Sequence, residues 1–242
     1  DHEHQWEVTR CYNGKTSLMT TEQLRENLWY CGQRDLKIMN QPGVQLPEVD
    51  LPIDPYVFGF WLGDGKNSSG EVTFGNYENV ELIKSLGYET SVTADMMSDG
   101  AATVTVKGIR GHLNQLGVLG KKGTKFIPDL YLRGSREQRL NLLRGLMDSD
   151  GSYNTVKNSC VFVNTNKVLA DGVAELAASL GWRVNRWTGD AKGFGVVTTQ
   201  HRVTFTPYGA NPFLMPSKAD KYTDMGHAQS RRRLIQEVEP VD

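Results

Sequence analysis

Two short stretches constrain this 242-residue chain more than anything else in it: VFGFWLGDG at 57–65 and LRGLMDSDG at 143–151. Both are apolar almost all round, and a helix of that kind is buried. Each carries small residues four apart, Gly59 and Gly63 in the first, Gly145 and Ser149 in the second. Small residues at that spacing share one helix face and let two backbones approach closely. Each stretch closes on an acid followed by glycine, a residue free to leave a helix with φ > 0. Packed side by side, the two helices bring Asp64 and Asp150 together at one end.

The surrounding sequence repeats. Ser85-Leu86-Gly87-Tyr88 follows the first stretch, and Ser179-Leu180-Gly181-Trp182 follows the second. Asp54 and Pro55 cap and open the first helix. A strand pair begins near 71–76, a helix covers 79–86, TVTVK at 103–107 alternates as a strand, and a short helix covers 109–116. In the second series Ser135 and Gln138 form a capping box. SCVFVNT at 159–165 reads as a strand, 168–181 as a helix, 195–200 and 202–206 as strands, and 227–236 as a last helix. The expectation is an α+β fold of two pseudo-symmetric αββαββα repeats packed through the two apolar helices. Upstream, Asn13-Gly14 marks a hairpin, and Thr20 with Gln23 caps a helix over 22–30. Pro42, Pro47, Pro52 and Pro55 mark an extended linker.

Two adjacent carboxylates repel, and a helix C-terminus is a poor place for negative charge. A divalent cation compensates for both. Hard cations such as Mg²⁺ take one or two carboxylates and complete their shell with substrate phosphate, an arrangement suited to in-line phosphodiester hydrolysis. An EF-hand starting at Asp148 fails, because its sixth and twelfth positions are Tyr153 and Ser159 rather than Gly and Glu. His2 and His4 have no partners that complete a tetrahedral metal site, and Cys160 reads as core.

With these residues in place, the two stretches resemble the paired signature helices of LAGLIDADG homing endonucleases, in the single-chain, double-motif form, from residue 55 to about 236. By that resemblance Gly59 and Gly145 are the helix-packing glycines. Asp64 and Asp150, with Gly63 and Ser149 at the small-residue position, form the metal site. Leu62 stands where the family often has an acid, and Asp148 keeps that acid as a local cap or hydrogen-bonding group rather than as the metal ligand. KFIPDLYLRGSREQRLNLLRGLMDSDG looks like the block joining the halves of intein-encoded members, which makes Lys125 the basic residue near the scissile phosphate. Lys218 in FLMPSKADK is its mate, with Lys121, Lys122 and Lys221 as neighbouring alternatives. The resemblance implies saddle-shaped antiparallel sheets and a monomer with an internal pseudo-two-fold. It also implies a metal-dependent double-strand cut in a long asymmetric site on double-stranded DNA. Two or three Mg²⁺ ions are expected, with Mn²⁺ substituting and Ca²⁺ binding without supporting cleavage.

DHEHQWEV resembles an intein block containing a histidine, and RRRLIQEVEPVD the approach to the last intein strands. The expected organisation is therefore 1–50 as a splicing-domain remnant plus linker, 51–134 as the first repeat, 135–236 as the second and 237–242 as the start of a C-terminal remnant. Position 1 is Asp rather than Cys or Ser, and the sequence closes on Val-Asp rather than His-Asn, which makes self-splicing the weaker reading. A maturase or regulator that binds without cutting is the other alternative, though such proteins usually lose one or both of the acids, and both are present here.

The strands offer a readout surface. Thr103, Thr105 and Lys107 share one face of their strand. Arg202, Thr204 and Thr206 share another, and Arg183 and Asn185 a third. Hydroxyl, amide and guanidinium groups on a sheet suit base edges in the major groove. The formal charge of −1 by itself counts against DNA, but it is segregated. Residues 1–56 hold 5 Lys/Arg against 9 Asp/Glu, and residues 57–242 hold 22 against 19. Where basic groups lie, not their average, sets phosphate affinity. No run is long enough for a membrane helix. The three scattered cysteines form no CxxC pair, and no basic-then-apolar leader opens the sequence. The expected setting is intracellular, cytoplasm or nucleoid, and not secreted.

Overall fold

The computed structural model describes residues 2–39, 43–75, 77–94, 102–121, 124–193, 196–224 and 232–239. The chain divides into two compact units, one of residues 1–42 with 227–242 and one of residues 43–226.

In the first unit, strands β1 (Gln5–Arg10) and β2 (Thr16–Thr20) pair antiparallel. Gly14 turns between them at φ +69°, as the Asn-Gly pair predicts. Helix α1 (Thr21–Asn27) starts on the expected Thr20–Gln23 capping box and is shorter than expected. A small ribbon of β3 (Trp29–Tyr30) and β4 (Gln33–Arg34) follows, then β5 (Leu36–Met39). The sheet runs Arg232–Leu234, β5, β1, β2. The expected helix over 227–236 is therefore corrected. Its first residues lie outside the described ones, and Arg232–Leu234 is a strand paired with β5. Local helix propensity in RRRLIQ yields there to ladder hydrogen bonds. Val8, Leu24 and Leu36 form this unit's core.

The second unit opens with residues 43–54, which the sequence marks as a linker. They lie strapped along their own unit. Val44 N donates to Ser179 O at 2.8 Å, and the Gln138 side chain bonds both the N–H and C=O of Val49. The fully buried Arg139 guanidinium donates to the carbonyls of Gly134, Val44 and Ser179. Helix α2 (Pro55–Asp64) follows, capped by Asp54, whose Oδ1 accepts from Tyr56 N and Val57 N.

The first repeat continues with β6 (Glu71–Phe74), α3 (Glu78–Ser85), β7 (Thr90–Ala94), β8 (Ala102–Val106) and α4 (Ile109–Gln115). A short α5 (Asp129–Leu132) leads to α6 (Arg136–Ser149), opened by the Ser135–Gln138 capping box. The second repeat continues with β9 (Gly151–Asn154), β10 (Ser159–Asn164), α7 (Lys167–Ser179), β11 (Arg183–Gly193), β12 (Val196–Thr206) and α8 (Pro216–Ala219). The fold is α+β with antiparallel sheets ordered β6-β8-β7 and β11-β12-β10-β9.

Two details differ from the expected repeat. Where the second repeat has the hairpin β9–β10, the first has β6 alone, with Gly65 reduced to a single bridge to Val72. The polar segment Lys66-Asn67-Ser68-Ser69-Gly70 turns too tightly to leave room for a strand. The segments expected at 195–200 and 202–206 are one strand, because β11 pairs with it along its whole length.

Helices α2 and α6 pack with their backbones in contact. A Cβ on Gly59 would fall 2.1 Å from Leu142 O, and one on Gly145 would fall 2.1 Å from Tyr56 O. Residues 59 and 145, like 56 and 142, are 86 positions apart, so this is one contact made twice. A mid-helix glycine costs about 1 kcal/mol relative to alanine, and here the close approach requires it. Around the pair lies one continuous core that includes Phe58, Trp61, Leu143, Met147, Phe162 and Trp182. Helix α7 covers one face of the four-stranded sheet.

Candidate functional site

The glycines after the two acids serve a purpose other than the expected one. Gly65 caps α2 at φ −74°, and neither it nor Gly151 is among the positive-φ glycines. They are needed for room. A Cβ at Gly65 would lie 2.4 Å from the Trp61 ring, and one at Gly151 would lie 2.4 Å from Met147 Cε. The chain thus turns back onto its own helix and leaves each acid at the helix end. Asp64 is the last residue of α2, and Asp150 is the C-cap of α6.

The two ends adjoin. A Cβ on Gly63 would meet Ser149 Oγ at 2.0 Å and approach Asp150 Cγ to 3.5 Å. Burial pushes the Asp64 carboxyl up to about 6, the charge of Asp150 adds to this, and Lys218 and Lys125 oppose it. Burial also raises Asp150, against the pull of Lys125, a hydrogen bond from Asn164 and the charge of Lys218. Asn164 Nδ2 donates to Asp150 Oδ2 at 3.2 Å. The two lysines thus offset part of the negative charge of the pair, and burial still holds both carboxyls above their ordinary range.

Both lysines arrive at these ends, and in the same way. Lys125 Nζ donates to the carbonyls of Trp61 (2.9 Å), Gly63 (3.3 Å) and Gly65 (2.6 Å), with the Trp61 ring 4.6 Å away. Lys218 Nζ donates to Met147 (2.9 Å), Asp148 (2.7 Å), Ser149 (3.3 Å) and Gly151 (2.8 Å). Residues 61, 63 and 65 become 147, 149 and 151 on adding the same 86 positions. Each ammonium thus satisfies the orphan carbonyls of one helix C-terminus and opposes its dipole. Burial depresses Lys125 to about 8, against the charges of Asp150 and Asp64. Lys218 is lowered by the same cause.

The donors at the two ends are two carboxylates and the carbonyl oxygens of Gly63 and Ser149, which already face cations. This hard, oxygen-only set suits Mg²⁺ completed by substrate phosphate. Among the described residues no group of three or more His, Cys, Asp and Glu is placed to hold a metal on its own. Next to the pair, a cleft of about 740 Å³ is lined by Lys125, Gly63, Gly65, Asn67, Asn164 and Asn166 among others.

The strand residues fall on the faces their alternation indicates. Thr103 and Thr105 are half-buried in β8, and Thr105 Oγ1 lies 2.7 Å from Thr93 Oγ1. Lys107, just past β8, pairs with Glu89 at 3.0 Å. Arg183 and Asn185 on β11 stand opposite Thr206 and Thr204 on β12. This face points away from α7, since Arg186, of opposite parity, reaches Asp171 on that helix.

Sequence reasoning missed three residues here. Trp187, half-exposed on the same face as Arg183, sits across from Arg202, whose guanidinium lies 5.5 Å from its ring. Its parity with 183 and 185 was the available signal. Asn164 continues the buried parity of Cys160 and Phe162, so a polar group there marked a site edge. Tyr56 donates to Asp148 Oδ2 at 2.9 Å across the two motif helices. Nothing in the sequence links residues so far apart.

DnaB, a replicative DNA helicase of Mycobacterium intracellulare, is 33% identical to this chain over 209 residues, 85% of this chain and 33% of that protein. The chain thus spans about a third of the length of that curated relative. Among solved structures, the homing endonuclease I-DmoI in complex with DNA and Mn is similar at 15% identity, over 63% of this chain and 88% of that one, with a TM-score of 0.42. The N-terminal LAGLIDADG domain of DUF199/WhiA is similar at 12% identity, over 66% and 80%, with a TM-score of 0.36. No helix among the described residues is long and apolar enough to cross a membrane. Residues 137–205, which run from α6 into β12, match the family described as LAGLIDADG-like domain.

Proposed function

We propose that this chain is a site-specific DNA endonuclease of the homing type, which cuts both strands of a long asymmetric site with divalent metal. One observation carries the reading: two acids at adjoining helix ends, each paired with a lysine on the same three carbonyl positions. That is two equivalent half-sites, and a duplex offers two phosphodiesters.

Asp64 and Asp150 would hold the cations, with the carbonyls of Gly63 and Ser149 beside them. The metal, when bound, supplies Lewis-acid charge and lowers the pKa of water. Bringing a cation to the site favours the ionised form of Asp64, which burial and Asp150 otherwise oppose. Lys125 and Lys218 place positive charge beside each acid, where a phosphate oxygen gains charge during displacement. Asn164 fixes the orientation of Asp150. On the sheets, Thr103, Thr105, Lys107, Arg183, Asn185, Arg202, Thr204 and Thr206 would read the DNA, held on a saddle-shaped surface by a monomer with an internal pseudo-two-fold.

Two or three Mg²⁺ ions are expected, with Mn²⁺ as a substitute and Ca²⁺ as a binder that does not support cutting. The relation to a third of a DnaB helicase supports an intein-encoded origin, with the first unit as splicing-domain remnant and an intracellular setting. Incubation with a randomised duplex library in Mg²⁺, followed by sequencing of the ends, tests the reading. Defined double-strand ends that vanish with Asp64→Asn are expected. Binding without ends, or cutting that survives Asp64→Asn, refutes it.

A further inference from the structure

The two lysines end alike but are held differently. Asn166, the N-cap of α7, donates from Nδ2 to the Lys125 carbonyl at 2.6 Å. Lys218 hangs from a different support. Its own N–H and that of Ala219 donate to Met215 O at 2.9 and 2.8 Å, so the turn carrying Lys218 is built on Met215. The N–H groups of Met215 and Leu214 in turn donate to Asp148 Oδ2 at 2.8 and 3.0 Å. One turn back on the same face of α6, Arg144 Nε donates to Asn211 O at 3.0 Å. Outside that helix, Glu78 Oε2 accepts from Ser217 N at 3.4 Å.

The first motif helix has no such anchor. The positions matching Arg144 and Asp148, 86 residues earlier, are Phe58 and Leu62, both buried. Leucine thus serves the helix packing at that place. Asp148 is buried, takes three hydrogen bonds on Oδ2, and leaves Oδ1 without a hydrogen-bond partner among the described residues. A buried carboxylate with a bare oxygen is costly, so packing alone does not account for an acid here.

We propose that Asp148 is a positioning residue for Lys218. It fixes Leu214 and Met215, and so the ammonium at the end of α6, and through Tyr56 it ties that turn to the other motif helix. The proposal rests on the endonuclease reading for its consequence, which is asymmetric. Loosening Asp148 disturbs one half-site and leaves the half-site of Lys125 as it is.

The test is competitive amine labelling with peptide mass spectrometry, using exposed Lys157 as reference. In the unmodified protein Lys125 and Lys218 label slowly. In Asp148→Leu, Lys218 is expected to label at least tenfold faster, with Lys125 unchanged and Asp148→Asn close to the starting rate. If Asp148→Leu does not fold, Tyr56→Phe/Asp148→Leu makes the pair apolar, as positions 142 and 62 already are. A Lys218 that stays slow overturns the proposal, and so does a parallel rise at Lys125, which marks a merely structural role. On target DNA in Mg²⁺, Asp148→Leu should slow one strand at least tenfold and accumulate nicked product, and equal slowing of both strands contradicts it. Failure of the unmodified protein to cut either strand refutes the endonuclease reading alone, and the labelling still decides the role of Asp148.

Discussion

Replacing Asp64 by Asn should stabilise the metal-free protein while destroying its activity. In the folded chain Asp64 titrates near 6, against an ordinary 3.8. Between these values the folded state binds more protons than the unfolded one, so stability falls as pH rises through the window. The loss is complete above about pH 7. A shift of about two units corresponds to about 3 kcal/mol, and because Asp64 is only partly buried, solvent screening reduces this to about 1–2 kcal/mol. Asn fills the same volume without the charge. The expected result is a gain of about 1–2 kcal/mol for Asp64→Asn at pH 8, or about 2–4 °C in Tm per kcal/mol for a unit of this size. The gain should shrink toward zero at pH 4, where Asp64 is largely protonated in the folded state. Thermal melts in chelator at both pH values measure it. Added Mg²⁺ should then raise the Tm of the unmodified protein and leave that of Asp64→Asn unchanged. A variant less stable than the parent at pH 8, or equally stable at both pH values, would refute the picture of two like charges held together for a cation.

Further outcomes follow from the same geometry. Gly145→Ala should destabilise by about 3 kcal/mol, read by urea unfolding, because its Cβ would fall 2.1 Å from Tyr56 O; an unchanged midpoint contradicts backbone contact between the helices. Mn²⁺ affinity, followed by calorimetry, should weaken about tenfold per pH unit below about 6, since protons compete for Asp64; a flat profile from pH 7 to 5 contradicts metal binding there. Arg202→Ala should weaken binding to the selected target by about 1–3 kcal/mol and relax its preference at one base pair, read by titration against the target and its single-base variants; unchanged discrimination removes Arg202 from the base contacts.

What the sequence made legible was local or periodic. Both capping boxes, the Asp54–Pro55 start of α2 and the glycine contact at Gly59 and Gly145 follow from residues within a turn or two of each other. Lys218 was harder to read, yet the structure sets its ammonium on the carbonyls that match those of Lys125. Two misreadings concern partners distant in sequence, and a third, at the glycines after the two acids, is local. Arg232–Leu234 is a strand because β5, nearly two hundred residues earlier, offers an edge. Asp148 was read as a local cap, but it bonds Tyr56 and the backbone at 214 and 215. Gly65 and Gly151 were read as φ > 0 exits, but what excludes a Cβ there is each helix's own Trp61 or Met147.

The most direct test of the central claim is anomalous diffraction from crystals of the protein bound to its selected target DNA in Mn²⁺. The account predicts anomalous density bounded by the carboxylates of Asp64 and Asp150 and the carbonyls of Gly63 and Ser149, against the two phosphates that are cut. Manganese bound elsewhere, with these four groups left to the lysines alone, would contradict it.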